Sequence, residues 1–402
     1  CLWGPTMRTR RVDNAYSQSA LASADGGTEA AAVGARWVNY ASPSPATNTN
    51  ALAGVVMTRT GGWAVGAAQS ATTSTPLIER YAAARGTWSV VAAPKGTTGS
   101  LAAVAGTDAD AWAVGESYTA NNTRPLALHW NGTVWRSVAL PAVTGGRLGG
   151  VSVRTAKDVW AVGSQAGRNG YLAPLALHWN GTTWSVVAVP MPAGPKGSPA
   201  TARLLGVAVV PGSGAVLAVG TSNEYGRGSG NAFAETWTGA KWSLTAIAGK
   251  SASVDGLTSV VALSATNAWA VGSAGGVTTR TMVLHWTGTT WQHVTSPDPG
   301  NGGLSGVAAA SPTSIWAVGT AQPAGSAWTV PLILHWNGTA WGLVPAPAAP
   351  IGKTGPCSGL HDAYQGLQAV ANTPGSARAF AVGYHDMLSC GTGRYTLVER
   401  YS

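Results

Sequence analysis

Acidic side chains are scarce in this chain: 402 residues carry 15 Asp and Glu against 24 Lys and Arg. So few carboxylates make the facing acid pairs of glycosidase chemistry hard to assemble. Phenylalanine is nearly absent, at two residues, while tryptophan reaches 19, so indole rings and small aliphatic side chains must supply the core. No apolar run is long enough to cross a membrane. A phosphate-cradling loop, Gly-x-Ser-x-Gly and His-Glu-x-x-His are all missing. The net charge is +9, yet Lys and Arg are spread along the chain without a dense stripe. That spread argues against a nucleic-acid partner and fits weak attraction to anionic cell-wall polymers better.

What the chain has in abundance is a repeat. Trp-Ala-Val-Gly or a near copy occurs at Trp63–Gly66, Trp112–Gly115, Trp160–Gly163, Leu217–Gly220, Trp269–Gly272, Trp316–Gly319 and Phe380–Gly383. Periods near 50 residues point to repeated β-sheet modules. Each unit shows four short strand signals: Leu-x-x-Val (Leu101–Val104, Leu304–Val307), Trp-Ala-Val-Gly, a Pro-to-Trp segment (Pro125–Trp130, Pro174–Trp179, Pro331–Trp336), and a segment opened by Trp (Trp184–Pro190, Trp291–Pro297). Alternation in the third segment puts Leu126, Leu128 and Trp130 on one face, with Ala127 and His129 on the other. Asn-Gly-Thr at Asn131, Asn180 and Asn337 joins the third and fourth segments. It predicts a tight hairpin, because Asn and Gly both tolerate positive φ. The spacing therefore predicts an all-β fold: a seven-bladed β-propeller of four-stranded antiparallel blades.

The ends of the chain complement each other. The last unit has no fourth strand before Ser402, and 34–45 reads as a fourth strand with no first three. An N-terminal strand completing the C-terminal blade would close the ring and remove open sheet edges. The predicted domains are an extension at 1–33 and a propeller at 34–402. Blades one to six lie near 51–94, 100–141, 147–190, 203–248, 256–297 and 303–345, with the rest of blade seven at 366–402.

The Trp-Ala-Val-Gly strand followed by a Trp-Asn-Gly-Thr-x-Trp hairpin resembles the kelch repeat of secreted bacterial type, over roughly 34–402. The hairpin is also similar to the Asp-box of sialidase propellers, with Asn in place of Asp. The second Gly of the kelch pair is usually absent here. These resemblances imply a fold more than a function, because such propellers include binding scaffolds, galactose oxidase and sialidases. A galactose-oxidase copper site needs Tyr, His and a Cys-linked Tyr near the axis, where this chain places Leu, Val, Ala and Gly. A sialidase needs three convergent Arg, a Tyr nucleophile and an Asp, and only two candidate Arg are at hand.

Mapping onto the repeat absorbs most of the aromatic and imidazole residues. Seventeen of the 19 Trp fall at repeat core positions, leaving Trp3 and Trp328. His129, His178, His285 and His335 share one register with Arg80, Thr236 and Arg400. Arg cannot replace a metal-ligating imidazole, so those histidines read as structural or surface residues.

In a meander, the second-to-third-strand loops and the blade connections share one face. That face is the expected ligand face, since loops on a rigid scaffold commonly carry sites. His361, Asp362 and Tyr364 lie there with Tyr384, His385 and Asp386, as a candidate polar ligand cluster with no specific metal signature. Arg147 and Arg203 precede neighbouring innermost strands and could receive an anion. Trp328, Tyr118, Tyr171 and Tyr225, on long loops, could stack on a sugar. Cys357 and Cys390 fall on this face in one blade, which predicts a disulfide and an oxidising, extracytoplasmic location. Cys1 is a candidate for lipidation, the only membrane attachment the sequence offers. Asn-x-Thr at Asn121, Asn131, Asn180 and Asn337 would suit glycan addition, but three of the four coincide with the hairpin turn.

The expectation is a secreted or surface-attached, non-catalytic binding module that takes a protein or a cell-surface polysaccharide, without metal or cofactor. Two rivals stand beside it. One is a structural subunit of an extracellular assembly that self-associates through residues 1–33; the other is a carbohydrate-active enzyme.

Overall fold

The computed structural model describes residues 35–46, 48–119, 122–167, 170–192, 200–224, 230–249, 255–275, 278–347, 364–386 and 393–402. Residues 1–33, Cys1, Asn121, Tyr225, Cys357, His361, Asp362 and Cys390 lie outside the described residues, as does the expected disulfide.

Among the described residues there are 28 strands: five four-stranded antiparallel sheets and one eight-stranded sheet. The large sheet is two blades, one and seven, joined by a single parallel bridge between Thr49 and Arg394. Twenty-eight strands in groups of four make seven blades. Trp37–Tyr40 pairs antiparallel with Arg394–Tyr401 in the register Trp37 to Tyr401, so the N-terminal strand completes the C-terminal blade.

The first strands line the axis. They run over Thr49–Met57, Ser100–Gly106, Gly146–Thr155, Ala200–Val209, Asp255–Ser264, Gly302–Ser311 and Tyr364–Asn372, and each contacts the first strands of both neighbouring blades around a closed circuit. Their backbones approach closely. A Cβ on Gly306 would stand 2.8 Å from the Cα of Ala369 in the next blade, and one on Gly54 would stand 2.9 Å from that of Ala103.

Every blade carries a β-bulge one residue after its buried first-strand leucine: Leu52, Leu101, Leu148, Leu204, Leu257, Leu304 and Leu367. The bulge explains the Leu-x-x-Val spacing. In a regular strand, residues three apart face opposite sides. One extra residue turns them to the same side, and the Leu and Val of each blade do enter one core cluster. The bulge also accounts for the glycine of Trp-Ala-Val-Gly. A Cβ at any of the seven equivalent glycines would lie 1.9–2.0 Å from the carbonyl oxygen of the residue preceding that leucine. The second strands run on past the motif, to nine residues in Ala111–Thr119 and Asp158–Ala166.

Blades adhere through aromatic triads. Trp63 packs on Trp130 and Trp135 of the next blade with ring centroids 4.8 and 5.1 Å away, and Trp112 packs on Trp179 and Trp184 at 5.0 and 5.1 Å. The same arrangement joins Trp160 to Trp237 and Trp242, and Trp269 to Trp336 and Trp341. Leu217 substitutes for the indole against Trp286 and Trp291. Ring closure uses the same contact twice more: Trp316 on Trp37 and Tyr401, and Phe380 on Tyr81 and Trp88. Aromatic pairs at such distances add about 0.5–1.5 kcal/mol each beyond burial, so the triads hold each blade to the next.

The hairpin turns form as expected, by a different mechanism. Gly132, Gly181 and Gly338 have φ of 92°, 99° and 99°, but the preceding Asn residues keep negative φ. Asn131 Oδ1 instead accepts hydrogen bonds from Thr133 N, Thr133 Oγ1 and Val134 N at 2.8–3.1 Å, an Asx turn repeated at Asn180 and Asn337.

Candidate functional site

The four shared-register histidines pack against the motif tryptophans of their own blades, two stacked and two tilted. His129 lies over Trp112 at 4.3 Å, His178 over Trp160 at 4.4 Å, His285 over Trp269 at 4.5 Å and His335 over Trp316 at 4.2 Å. Each Nε2 meets a polar group two residues before that Trp: Asp110, Asp158, Asn267 or Ser314, at 3.0–3.1 Å. Where Arg80 replaces His, its guanidinium covers Trp63 at 4.8 Å. These side chains are absorbed by packing on the tryptophans, away from the loop face.

On the loop face the structure brings three of the expected residues to one sector of the ring. Arg147 pairs with Ser164 and Arg203 with Thr221, one residue before the buried leucines of adjacent first strands. At the same position other blades have Ala51, Ser100, Gly256, Gly303 and Gly366, so this rim carries bulk and charge in blades three and four alone. Burial, then the positive charge of Arg147, lowers the pKa of Arg203. Among the described residues neither guanidinium has an ion-pair partner.

Tyr118 stands beside Arg147. Both line a cavity of about 540 Å³ between blades two and three, with Glu116, Asn122, Ser164 and Leu172. The Tyr118 hydroxyl donates to Glu116 Oε1 at 3.0 Å, and Ser100 Oγ lies 3.5 Å from the same oxygen. Burial is the main cause that pushes the Tyr118 phenol up, and Arg147 works against it. The cavity thus offers one cation, one carboxylate already engaged by a phenol, and an exposed ring. Such a lining orients a polar ligand.

The remaining expected residues go elsewhere. Asp386, buried, takes a bidentate pair from Arg394 at 2.7 and 2.9 Å, and Arg394 lies over the Tyr384 ring at 4.0 Å. His385 stacks on Tyr395 at 5.5 Å. This is a packed cluster fixing the start of the last strand, where Arg394 N donates to Asn48 O at 2.9 Å. Among the described residues no group of three or more His, Cys, Asp or Glu is placed to hold a metal. Tyr171 is half-buried, and its carbonyl accepts from Gly167 N at 2.6 Å. Trp328 and Tyr364 meet edge to face at 5.6 Å on the blade six–seven side.

Arg394 was not singled out in the sequence, and neither were three buried glutamates. Glu79, Glu235 and Glu399 are each no more than 1% exposed, and burial pushes each carboxyl up to about 8. Their signal was present: they occupy the third-strand position held by Leu128, Leu177, Leu284 and Leu334 in the other blades.

With the geometry in hand, comparison with known proteins bears on the fold. No protein-family model and no curated protein sequence matches the chain. Solved structures do. One described as "YCF48 bound to D1 peptide" matches over 91% of this chain and 96% of its own, at 14% identity and a TM-score of 0.51. Another, a "polysaccharide lyase PL25-Ulvanlyase bound to -[GlcA(1-4)Rha3S]-", matches over 90% and 95%, at 10% identity and a TM-score of 0.56. What is shared is the propeller fold. No helix among the described residues is long and apolar enough to cross a membrane.

Proposed function

We propose that the protein is a secreted or surface-attached, kelch-like propeller that binds without catalysing, and that its ligand seats on the long-loop face against Arg147, Arg203 and Tyr118. One observation carries this: two arginines hold equivalent positions on adjacent axial strands, close enough for one charge to bear on the other, with no carboxylate paired to either among the described residues. Like charges held together are unfavourable unless an anion joins them, and arginine presents a fork matched to carboxylates, sulfates and phosphates. An acidic polysaccharide supplies such groups at intervals, and the dispersed net charge of +9 would assist its approach. The lining of the neighbouring cavity favours binding over bond cleavage, because Glu116 is already engaged by Tyr118.

A protein ligand with surface carboxylates is the second reading, and the neighbour bound to a peptide is its precedent on this fold. The test is affinity electrophoresis through gels containing a polyuronate, a sulfated glycan or a polyphosphate. We expect retardation by at least one polyanion. It should fall at least tenfold in Arg147→Gln/Arg203→Gln and weaken as salt rises, because exposed charges are screened. Unchanged retardation in the double variant, or none in the wild type, would remove polysaccharide binding at this pair.

A further inference from the structure

The loop face carries a second constellation, on the opposite side of the ring from the arginines. Of the 19 tryptophans, Trp328 is one of two outside the repeat core positions. It is 49% exposed, and its edge-to-face partner Tyr364 is 37% exposed. Large aromatics left half in water on a rigid frame are unusual, since burial of such a ring is worth a few kcal/mol.

The frame here is rigid. Thr329 forms a parallel bridge with Tyr364, Thr329 Oγ1 donates to the Gln365 carbonyl at 3.0 Å, and Gln365 N donates to the Thr329 carbonyl at 3.2 Å. Blade six is thereby tied to blade seven directly beneath the two rings. On the other side, Trp328 N donates to Ser326 Oγ at 3.0 Å, and Ser326 is part of the wall of a cavity of about 430 Å³ between blades five and six.

Polar side chains are set into a largely apolar cavity wall. Arg280, Asp298, Asn301 and Gln322 line it together with Ser326. Gln322 is held by both ends of its amide: Asn301 Nδ2 donates to Oε1 at 2.7 Å, and Nε2 donates to the Ser326 carbonyl at 2.8 Å. Asn301 has φ of 56°, the one non-glycine residue among the described residues in the left-handed region. Backbone held there is a cost that surrounding contacts must sustain, and it concentrates at sites. Asp298 Oδ2 lies 3.5 Å from Arg280 Nε, leaving the outer guanidinium nitrogens of an arginine whose side chain is 72% exposed.

We propose that Trp328 and Tyr364, with the adjoining Asp298–Arg280–Gln322 cavity, form a binding site for a hexose unit of a neutral glycan. The apolar C–H face of a pyranose matches an exposed indole. Its hydroxyls, which both donate and accept, match a carboxylate, an amide and a guanidinium set about the same pocket. A neutral ring also suits this pocket because Asp298 and Arg280 cancel in charge. The site is independent of the arginine pair and stands or falls separately from it.

The test uses the full chain in affinity gels containing a neutral glucan, mannan or galactan, with saturation-transfer NMR on the oligosaccharide of whichever polymer retards it. At least one polymer should retard the wild type. Trp328→Ala should lose at least tenfold in retardation, Asp298→Asn should lose several-fold, and Trp328→Phe should keep an intermediate value. Arg147→Gln/Arg203→Gln should match the wild type. Because Trp328 is half exposed, Trp328→Ala should keep the wild-type circular dichroism; if it does not, Trp328→Phe and Asp298→Asn decide. The proposal is overturned if none of the three polymers retards the wild type, or if folded Trp328 and Asp298 variants are retarded as the wild type is.

Discussion

Glu235 sits at a position where four sister blades have leucine, with both carboxylate oxygens buried and without a hydrogen-bond partner among the described residues. Glu79 differs in accepting one bond, from Ser42 Oγ at 2.8 Å. The three glutamates mark one class of blade, in which Glu precedes Arg80, Thr236 or Arg400; the other class has Leu before His. A carboxyl of Glu ordinarily ionises near 4.5, and burial pushes these three up to about 8 in the folded chain. Below 4.5 both states are protonated and no ionisation penalty applies. As pH rises toward 8 the unfolded chain releases protons that the folded chain retains, so stability falls across that window and levels above it. The urea midpoint should therefore be higher at pH 5 than at pH 8. Glu235→Leu should raise the pH 8 midpoint by the equivalent of about 1–3 kcal/mol, the usual cost of a buried unsatisfied polar group, and should flatten the pH profile. An equal pH dependence in the variant would show that Glu235 is not among the responsible groups. Alternation alone does not show this burial, because it marks which face a residue takes and not whether the neighbouring blade covers it; only the register shared with four sister leucines does.

At the scale of the strand, the repeat was legible because its determinants are local: an indole at a fixed register, a glycine four residues into the motif, and an Asn-Gly turn. The bulge was less legible, although Leu-x-x-Val contains it. Leu101 and Val104 both enter one cluster only if an extra residue intervenes, which is a statement about packing rather than pattern. The loop-face clusters were less legible still. Position in the meander placed Arg147 and Tyr118 on one face, and the structure adds that they share a cavity. Asp386 was on the correct face too, but Arg394, eight residues on, engages both its oxygens. The bulge makes a direct prediction. A Cβ on Gly115 would lie 2.0 Å from the Ser100 carbonyl oxygen, and the first strand cannot withdraw without leaving the ring. Gly115→Ala should cost at least the 1–3 kcal/mol typical of overpacking, read as a lower urea midpoint with an unchanged slope. Gly214→Ala serves as the control: like Gly115 its backbone lies outside the left-handed region, but nothing stands within 4 Å of its Cβ. If the two variants lose equal stability, the close approach of the first strand is not what requires glycine at 115.

The whole ring depends on one non-local closure. Arg36 N donates to the Ser402 carbonyl and Ser402 N to that of Arg36, at 3.3 and 3.4 Å, so the N-terminal strand runs off the last strand as though a hairpin joined them. The chain then passes through Ser42, Ser44 and Asn50 into blade one. Ser42 Oγ donates to Glu79, Ser44 Oγ lies 3.0 Å from Thr396 Oγ1, and Asn50 Nδ2 donates to the Ala46 carbonyl. Blades seven and one therefore cannot separate unless the closing strand is first peeled from Arg394–Tyr401. A circular permutant isolates that constraint. It would begin at residue 48 and carry 35–46 after Ser402 through an Asn-Gly turn, keeping every strand pairing but leaving blades seven and one joined only by their packed faces and the short Thr49–Arg394 bridge. The reference is the native-order chain from residue 35. The permutant should show the same circular dichroism, since the blades are unchanged, and the hairpin it gains is local and quick to form. It should unfold at least tenfold faster in the same denaturant, because the ring gains a seam that opens by losing one short parallel bridge, without peeling the closing strand. Equal unfolding rates would mean that the Phe380–Tyr81–Trp88 triad and its neighbours hold the seam unaided, and that the closing strand does no more than cover an edge.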